Sequence, residues 1–184
     1  MIDSNHFAYP TQLHFNHIRR LTNHIGIIQH AKYAIPDYHH GYCLDDNARA
    51  LQLVSHYRLA THDDTQNDLI DIYLAYIYYV QNNDGTFRNF VSIGNRYLDE
   101  VGSEDAFART IMALGNSLYA DDRIYIQRMI TEILDRSYDQ LKSFQSIRAA
   151  AYTIVGLYAV HQSQVYPKDV TVEINKLAQF IASE

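Results

Sequence analysis

The sequence predicts an all-α protein made of helical hairpins, and three observations carry that reading. Apolar residues recur at three- and four-residue spacing through most of the chain. Glycine and proline are scarce, seven and three residues in all, and fall mainly where that periodicity breaks. The helical segments also alternate between two kinds, one apolar on a single face and one rich in small residues.

The one-sided segments are 11–24, 65–82, 121–142 and 169–182. The first has a start signal at Thr11 and a stripe through Leu13, His17, Ile18 and Leu21. The second carries Leu69, Tyr73, Tyr76, Ile77 and Val80 on one face; the third carries Ile126, Ile130, Ile133, Leu134, Tyr138 and Leu141; the fourth carries Val170, Ile174, Leu177 and Ile181. A helix with one apolar stripe belongs on an outside. Segments 45–60, 104–118 and 144–161 are rich in small residues, which let helices approach closely on several sides, so they form an expected inner layer. The order is outer, inner, outer, inner, outer, inner, outer. Inner-to-outer joints are short. The first two outer-to-inner joints, 25–44 and 83–103, are long, and loops of that length in a compact domain are usually functional. Because hairpins alternate direction, both long loops should lie at one end of the array, with the third joint, 141–145, walling that side.

Composition fits one domain spanning 1–184: 47% of the residues are hydrophobic and 20% charged. A formal charge of -6 without a Lys/Arg block argues against nucleic acid, whose binding rests on neutralising phosphates. The single cysteine, Cys43, excludes an internal disulfide and fits a reducing compartment. No stretch approaches the ~20 apolar residues of a membrane span, and the N-terminus lacks a charged-then-apolar signal. The expected setting is cytoplasmic, away from membranes.

Two acid pairs stand 60 residues apart in register, Asp45-Asp46 in GYCLDDNARAL (41–51) and Glu104-Asp105 in GSEDAFARTIMAL (102–114). Each opens an inner segment, where a helix N-terminus favours anions. Asp45 and Asp105 each precede an arginine by four residues, Arg49 and Arg109, the spacing of an intrahelical ion pair. Asp46 and Glu104 have no such arginine. These two are the freer acids and the preferred candidates for acid and base chemistry on a glycosidic bond, with Asp45 and Asp105 beside them. A structural salt bridge at the helix start is the plainer role for Asp45 and Asp105, and N-terminal capping for Asp46 and Glu104.

The long loops supply His39, His40 and Tyr42 from the first, and Phe87, Arg88, Asn89, Arg96 and Tyr97 from the second. Aromatic rings beside Asn, Arg and His suit a sugar, with its apolar CH faces and hydroxyl rim. The plainer reading is that several of these aromatics pin the loops to the domain. Ten histidines raise the question of metal, yet there is no HExxH and no Cys/His cluster. DDNAR lacks the further acid that a diphosphate-bridging divalent ion needs. No spacing gives Cys43 a base. No cofactor and no metal are expected.

The stretches HIRRLTNHIGIIQHA (17–31), GYCLDDNARAL (41–51), DGTFRNF (84–90) and RYLDEVGSEDAFARTIMALG (96–115) resemble a helical-toroid domain often attached to bacterial glycosyltransferases, and more distantly the six-hairpin (α/α) glycosidases. Tyr97 stands where that family carries tryptophan, and Ala106 and Ala108 also depart from its pattern. The resemblance implies an α/α toroid with its pocket at the loop-bearing end and a role in carbohydrate metabolism, without specifying a reaction. A complete toroid of twelve helices needs around 300 residues at ~1.5 Å rise per residue. Seven helices make about half of one, so a fragment, or a half-toroid that pairs with a second copy or a glycosyltransferase domain, is expected. Two function classes follow: a glycoside hydrolase-like enzyme centred on Asp46 and Glu104, or a non-catalytic glycan-binding or docking module.

Overall fold

The computed structural model describes residues 13–142 and 144–183. It is mostly helical, with seven α-helices among the described residues: α1 (Asn16–Leu21), α2 (Leu44–Thr61), α3 (Asn67–Val80), α4 (Glu104–Ala120), α5 (Ile124–Ser137), α6 (Ile147–Ser163) and α7 (Thr171–Ser183). The expected start of the first helix at Thr11 lies outside the described residues. α1 also ends before the expected boundary, because Thr22 turns to extended backbone and pairs with Ile27. α5 continues into a 3-10 turn, Tyr138–Lys142.

α4 lies in the middle of the array, with α2 on one side and α6 on the other; α3 packs on α2, α5 on α4 and α3, and α7 on α6. The small residues of the inner segments explain that order. A Cβ on Gly115 would lie 2.1 Å from the carbonyl oxygen of Gly156, and one on Gly156 would lie 2.6 Å from that of Ile111. Only glycine permits α4 and α6 to meet backbone to backbone. On the other flank, Ser55 of α2 and Ser117 of α4 are both fully buried and share a 2.6 Å hydrogen bond. The core between the layers is filled by Leu51, Val54, Leu69, Tyr73, Ile77, Ile111, Leu114 and Ile130, all buried.

The two long joints are not purely irregular. The first forms a hairpin of β1 (Ala31–Lys32) with β2 (Ile35–Pro36) and ends in β3 (Tyr42–Cys43); the second contains β4 (Phe90–Val91). β3 and β4 are antiparallel, Tyr42 opposite Val91 and Cys43 opposite Phe90. The loops are therefore stitched to each other. Gly41 enters this pairing with φ 69°, and a Cβ there would lie 2.2 Å from the Val91 carbonyl oxygen. Two-residue strands carry no alternation that a sequence could reveal.

Candidate functional site

The N-termini of α2, α4 and α6 are tied together by the acids and arginines of their first turns. α4 and α6 begin alike: Ser103 accepts from the Ala106 N–H and Ser146 from the Ala149 N–H, each at 3.2 Å. These are N-caps. α2 starts differently, at Cys43, which makes no side-chain cap; the Leu44 N–H instead donates to the Asn89 carbonyl at 2.8 Å, from the second long loop.

Asp45 pairs with Arg49 at 2.9 Å, the expected intrahelical pair, and also receives Arg109 from α4 at 2.8 Å. Its Oδ1 is enclosed, and although Arg109 Nε is close, no N–H is aimed along the contact. The interaction is one of charge rather than a directed hydrogen bond. The expected Asp105–Arg109 pair does not form. Arg109 instead lies across the helix boundary with its guanidinium 4.5 Å over the Tyr152 ring of α6, and Asp105 takes Arg148 of α6 together with the Ser146 hydroxyl. Each of these aspartates is thus bound by an arginine from the next inner helix, which fixes how the three helix starts sit relative to one another.

Glu104, expected to be a freer acid, is not free. Its carboxylate accepts from the Gln145 N–H at 3.1 and 3.2 Å and from the Ser146 N–H at 2.9 Å. α6 has no acid in its first turn, and Glu104 supplies the negative charge its N-terminus favours from one helix away. Asp46 is the exception among the four. It is half-buried, with neither an ion pair nor a side-chain hydrogen bond among the described residues. Burial holds its carboxyl above the ordinary range and the neighbouring Asp45 charge adds to this, while Arg49 and His30 pull the other way. Cys43 beside it is an inert thiol: burial pushes it up to about 11.

Among the expected sugar contacts, Tyr42 and Phe87 are core residues. Tyr42 is fully buried with its hydroxyl accepting from Asn23 Nδ2 at 2.7 Å, and Phe87 packs against Phe107 at 5.6 Å between ring centroids. Asn89 is structural: its N–H donates to Asp99 Oδ2 at 2.8 Å and its side-chain oxygen accepts from Cys43 Sγ at 3.4 Å. His39 and His40 both lean on Asp37, at 2.6 and 3.7 Å, and His40 packs edge-on against His30. Arg88 lies 4.2 Å over the ring of Tyr97, which stacks on Tyr79 of the outer helix α3. Arg96 is exposed.

A cleft of about 190 Å³ opens beside Glu104, lined by Thr86, Phe87, Ser103, Phe107, Gln140 and Phe144 among others. Its aromatic wall continues from Phe87 through Phe107 to Phe144, with successive centroids 5.6 and 6.0 Å apart. Asp45, Asp46 and Asp105 do not line it.

Sequence reasoning missed two anchors. Asn47, inside DDNAR, is fully buried; its Oδ1 accepts from the Ile27 N–H at 2.9 Å and its Nδ2 donates to the Cys43 carbonyl at 2.8 Å, locking the first loop onto α2. Asp99 accepts from the N–H groups of Asn89 and Phe90, both at 2.8 Å. Asn47 stands among the charged residues of DDNAR, so its polarity gave no sign that it is buried.

Among the described residues no three His, Cys, Asp or Glu side chains gather as a metal site, and no helix is long and apolar enough to cross a membrane. Compared with known proteins, the chain matches no family model and no curated protein.

Proposed function

We propose that this chain is a carbohydrate-active domain that binds a glycan at the end of the array where α2, α4 and α6 begin, with Asp46 as its principal binding carboxyl. One observation carries the reading: three of the four paired acids are committed to neighbouring helices, whereas Asp46 is half-buried, unpaired and held above the ordinary carboxylate range. A carboxyl that holds its proton more tightly than an ordinary one is a better donor to a sugar oxygen, and its ionised form accepts from sugar hydroxyls. The cleft beside Glu104 supports the same class of ligand, because Phe107 and Phe144 offer faces for sugar C–H groups while Gln140 and Ser103 supply polar atoms. Side-by-side inner helices backed by outer ones are the local arrangement of an α/α toroid, which agrees with the resemblance to glycosyltransferase-attached toroid domains and, more distantly, to (α/α) glycosidases.

Binding without turnover is the form of this reading that the acids favour. A two-carboxylate glycosidase needs a second carboxyl free to act as base or nucleophile, and the Glu104 oxygens already face the Gln145 and Ser146 N–H groups. Calorimetric titration with a panel of neutral and acidic oligosaccharides tests it. The expected result is binding by the wild type, weakened about tenfold in Asp46→Ala, the loss of one good hydrogen bond to a charged or strongly polar group, with no reducing ends released. Release of reducing ends that Asp46→Ala and Glu104→Gln each abolish would replace binding with hydrolysis. Absence of binding to every saccharide would sink the proposal.

A further inference from the structure

Glu173, Leu177 and Phe180 follow one another along α7 at four- and three-residue steps, the spacing of one helix face. Leu177 is buried and Phe180 packs on the core, and Glu173 is turned inward with them, at 5% exposure. A carboxylate in a first turn suits the helix N-terminus, but glutamate is enclosed almost only where cations or hydrogen-bond donors meet it. Here those partners are incomplete. Oε1 has the Lys176 Nζ at 3.9 Å, beyond hydrogen-bond reach, on a side chain that is 62% exposed. Oε2 is enclosed and meets no donor among the described residues.

Glu173 is also a wall of a cavity of about 130 Å³ between α7 and the 3-10 turn after α5, whose apolar walls are Leu141, Phe144, Leu177 and Phe180. Size and charge define what fits. An apolar cavity of ~150 Å³ admits benzene, so this one has room for about five or six non-hydrogen atoms. A metal ion wants several oxygen ligands, and Glu173 is the one carboxylate among the described residues that line the cavity. A guanidinium is a planar fork suited to two oxygens, whereas Lys176 already stands by Oε1. An ammonium needs a single acceptor, and the rings of Phe144 and Phe180 suit both its charge and an alkyl body. The other lysine of the rim is occupied, Lys142 pairing with Asp139 at 2.6 Å.

We infer that the Glu173 cavity binds a small primary ammonium compound, with Oε2 accepting from the ammonium and the four apolar walls enclosing a chain of about four carbons. The cavity shares Phe144 with the cleft beside Glu104, but its charge comes from α7, and its ligand binds whether or not a glycan occupies the helix starts.

The probe is n-butylammonium chloride, with butan-1-ol as the uncharged molecule of equal length, titrated into the full chain by calorimetry near pH 7 at matched ionic strength. Millimolar binding of butylammonium is expected, well inside the limit for about five non-hydrogen atoms, with butan-1-ol bound at least about tenfold more weakly. Amide shifts should centre on residues 173–180, Leu141 and Phe144. Glu173→Gln keeps the side-chain size and is expected to bind both probes alike, while Glu104→Gln binds butylammonium as the wild type does. Equal affinity of the wild type for the two probes overturns the inference, as does no binding up to about 50 mM. So do shifts centred elsewhere, or a folded Glu173→Gln that still prefers butylammonium. The probe comparison and the shift map need no variant, so they decide the matter if Glu173→Gln does not fold.

Discussion

Asp46 and its neighbour Asp45 differ by one position, yet the helix turns them into different environments: Asp45 forms ion pairs with two arginines, whereas Asp46 forms none among the described residues. That difference has a thermodynamic sign. Because the folded carboxyl of Asp46 sits above its unfolded value, the native state holds this proton more tightly. Its contribution to stability therefore falls as pH rises from the ordinary carboxylate range through the raised value, and the full cost is present above it. Asp46→Asn removes the cost. The variant is expected to melt higher than the wild type at pH 7, with the difference shrinking as pH is lowered through that window, followed by thermal melts at matched pH. A variant that melts lower at pH 7 would show that the carboxylate is stabilised by contacts other than those described.

The helices were legible in the sequence because each inner and outer segment is long enough for its periodicity to register, and the observed α2, α4 and α6 fall within three residues of the expected starts. What was not legible is equally physical. The i,i+4 rule identified Asp45–Arg49 correctly but failed for Asp105–Arg109, since it counts only partners on the same helix and α6 brings Arg148 to Asp105. Likewise Glu104 looked unpaired because its partners are backbone N–H groups 41 and 42 residues away. Tyr42 and Phe87 were read as loop aromatics, whereas the β3–β4 pairing draws Tyr42 inward and Phe87 packs on Phe107.

The glycine contact between α4 and α6 gives a prediction at this scale. In an exposed helix Gly→Ala gains about 1 kcal/mol from propensity alone. In Gly156→Ala the new Cβ would meet the Ile111 carbonyl oxygen at 2.6 Å and the Met112 Cα at 2.7 Å. Backbone atoms cannot swing aside, so overpacking outweighs the gain and the expected loss is about 1–3 kcal/mol. The urea midpoint should fall by a corresponding amount at unchanged slope. A midpoint that rises would mean the two helices are not in backbone contact.

For the molecule as a whole, the inner helices form a row in which α4 lies between α2 and α6. The ion pairs and the Glu104 contact at the helix starts lock one end of the row, and that end also carries the stitched loops and the aromatic cleft. Rigid anchors around a single unpaired carboxyl are what a preorganised binding face requires.

The most direct test of glycan binding at this face is an amide chemical-shift titration with the oligosaccharides of the panel. Shifts are expected to cluster in residues 41–51 and 84–107 and at the start of α6, and to be reduced in Asp46→Ala while the remaining spectrum is unchanged. Shifts confined to α5 and α7, or none with any saccharide, would contradict the account.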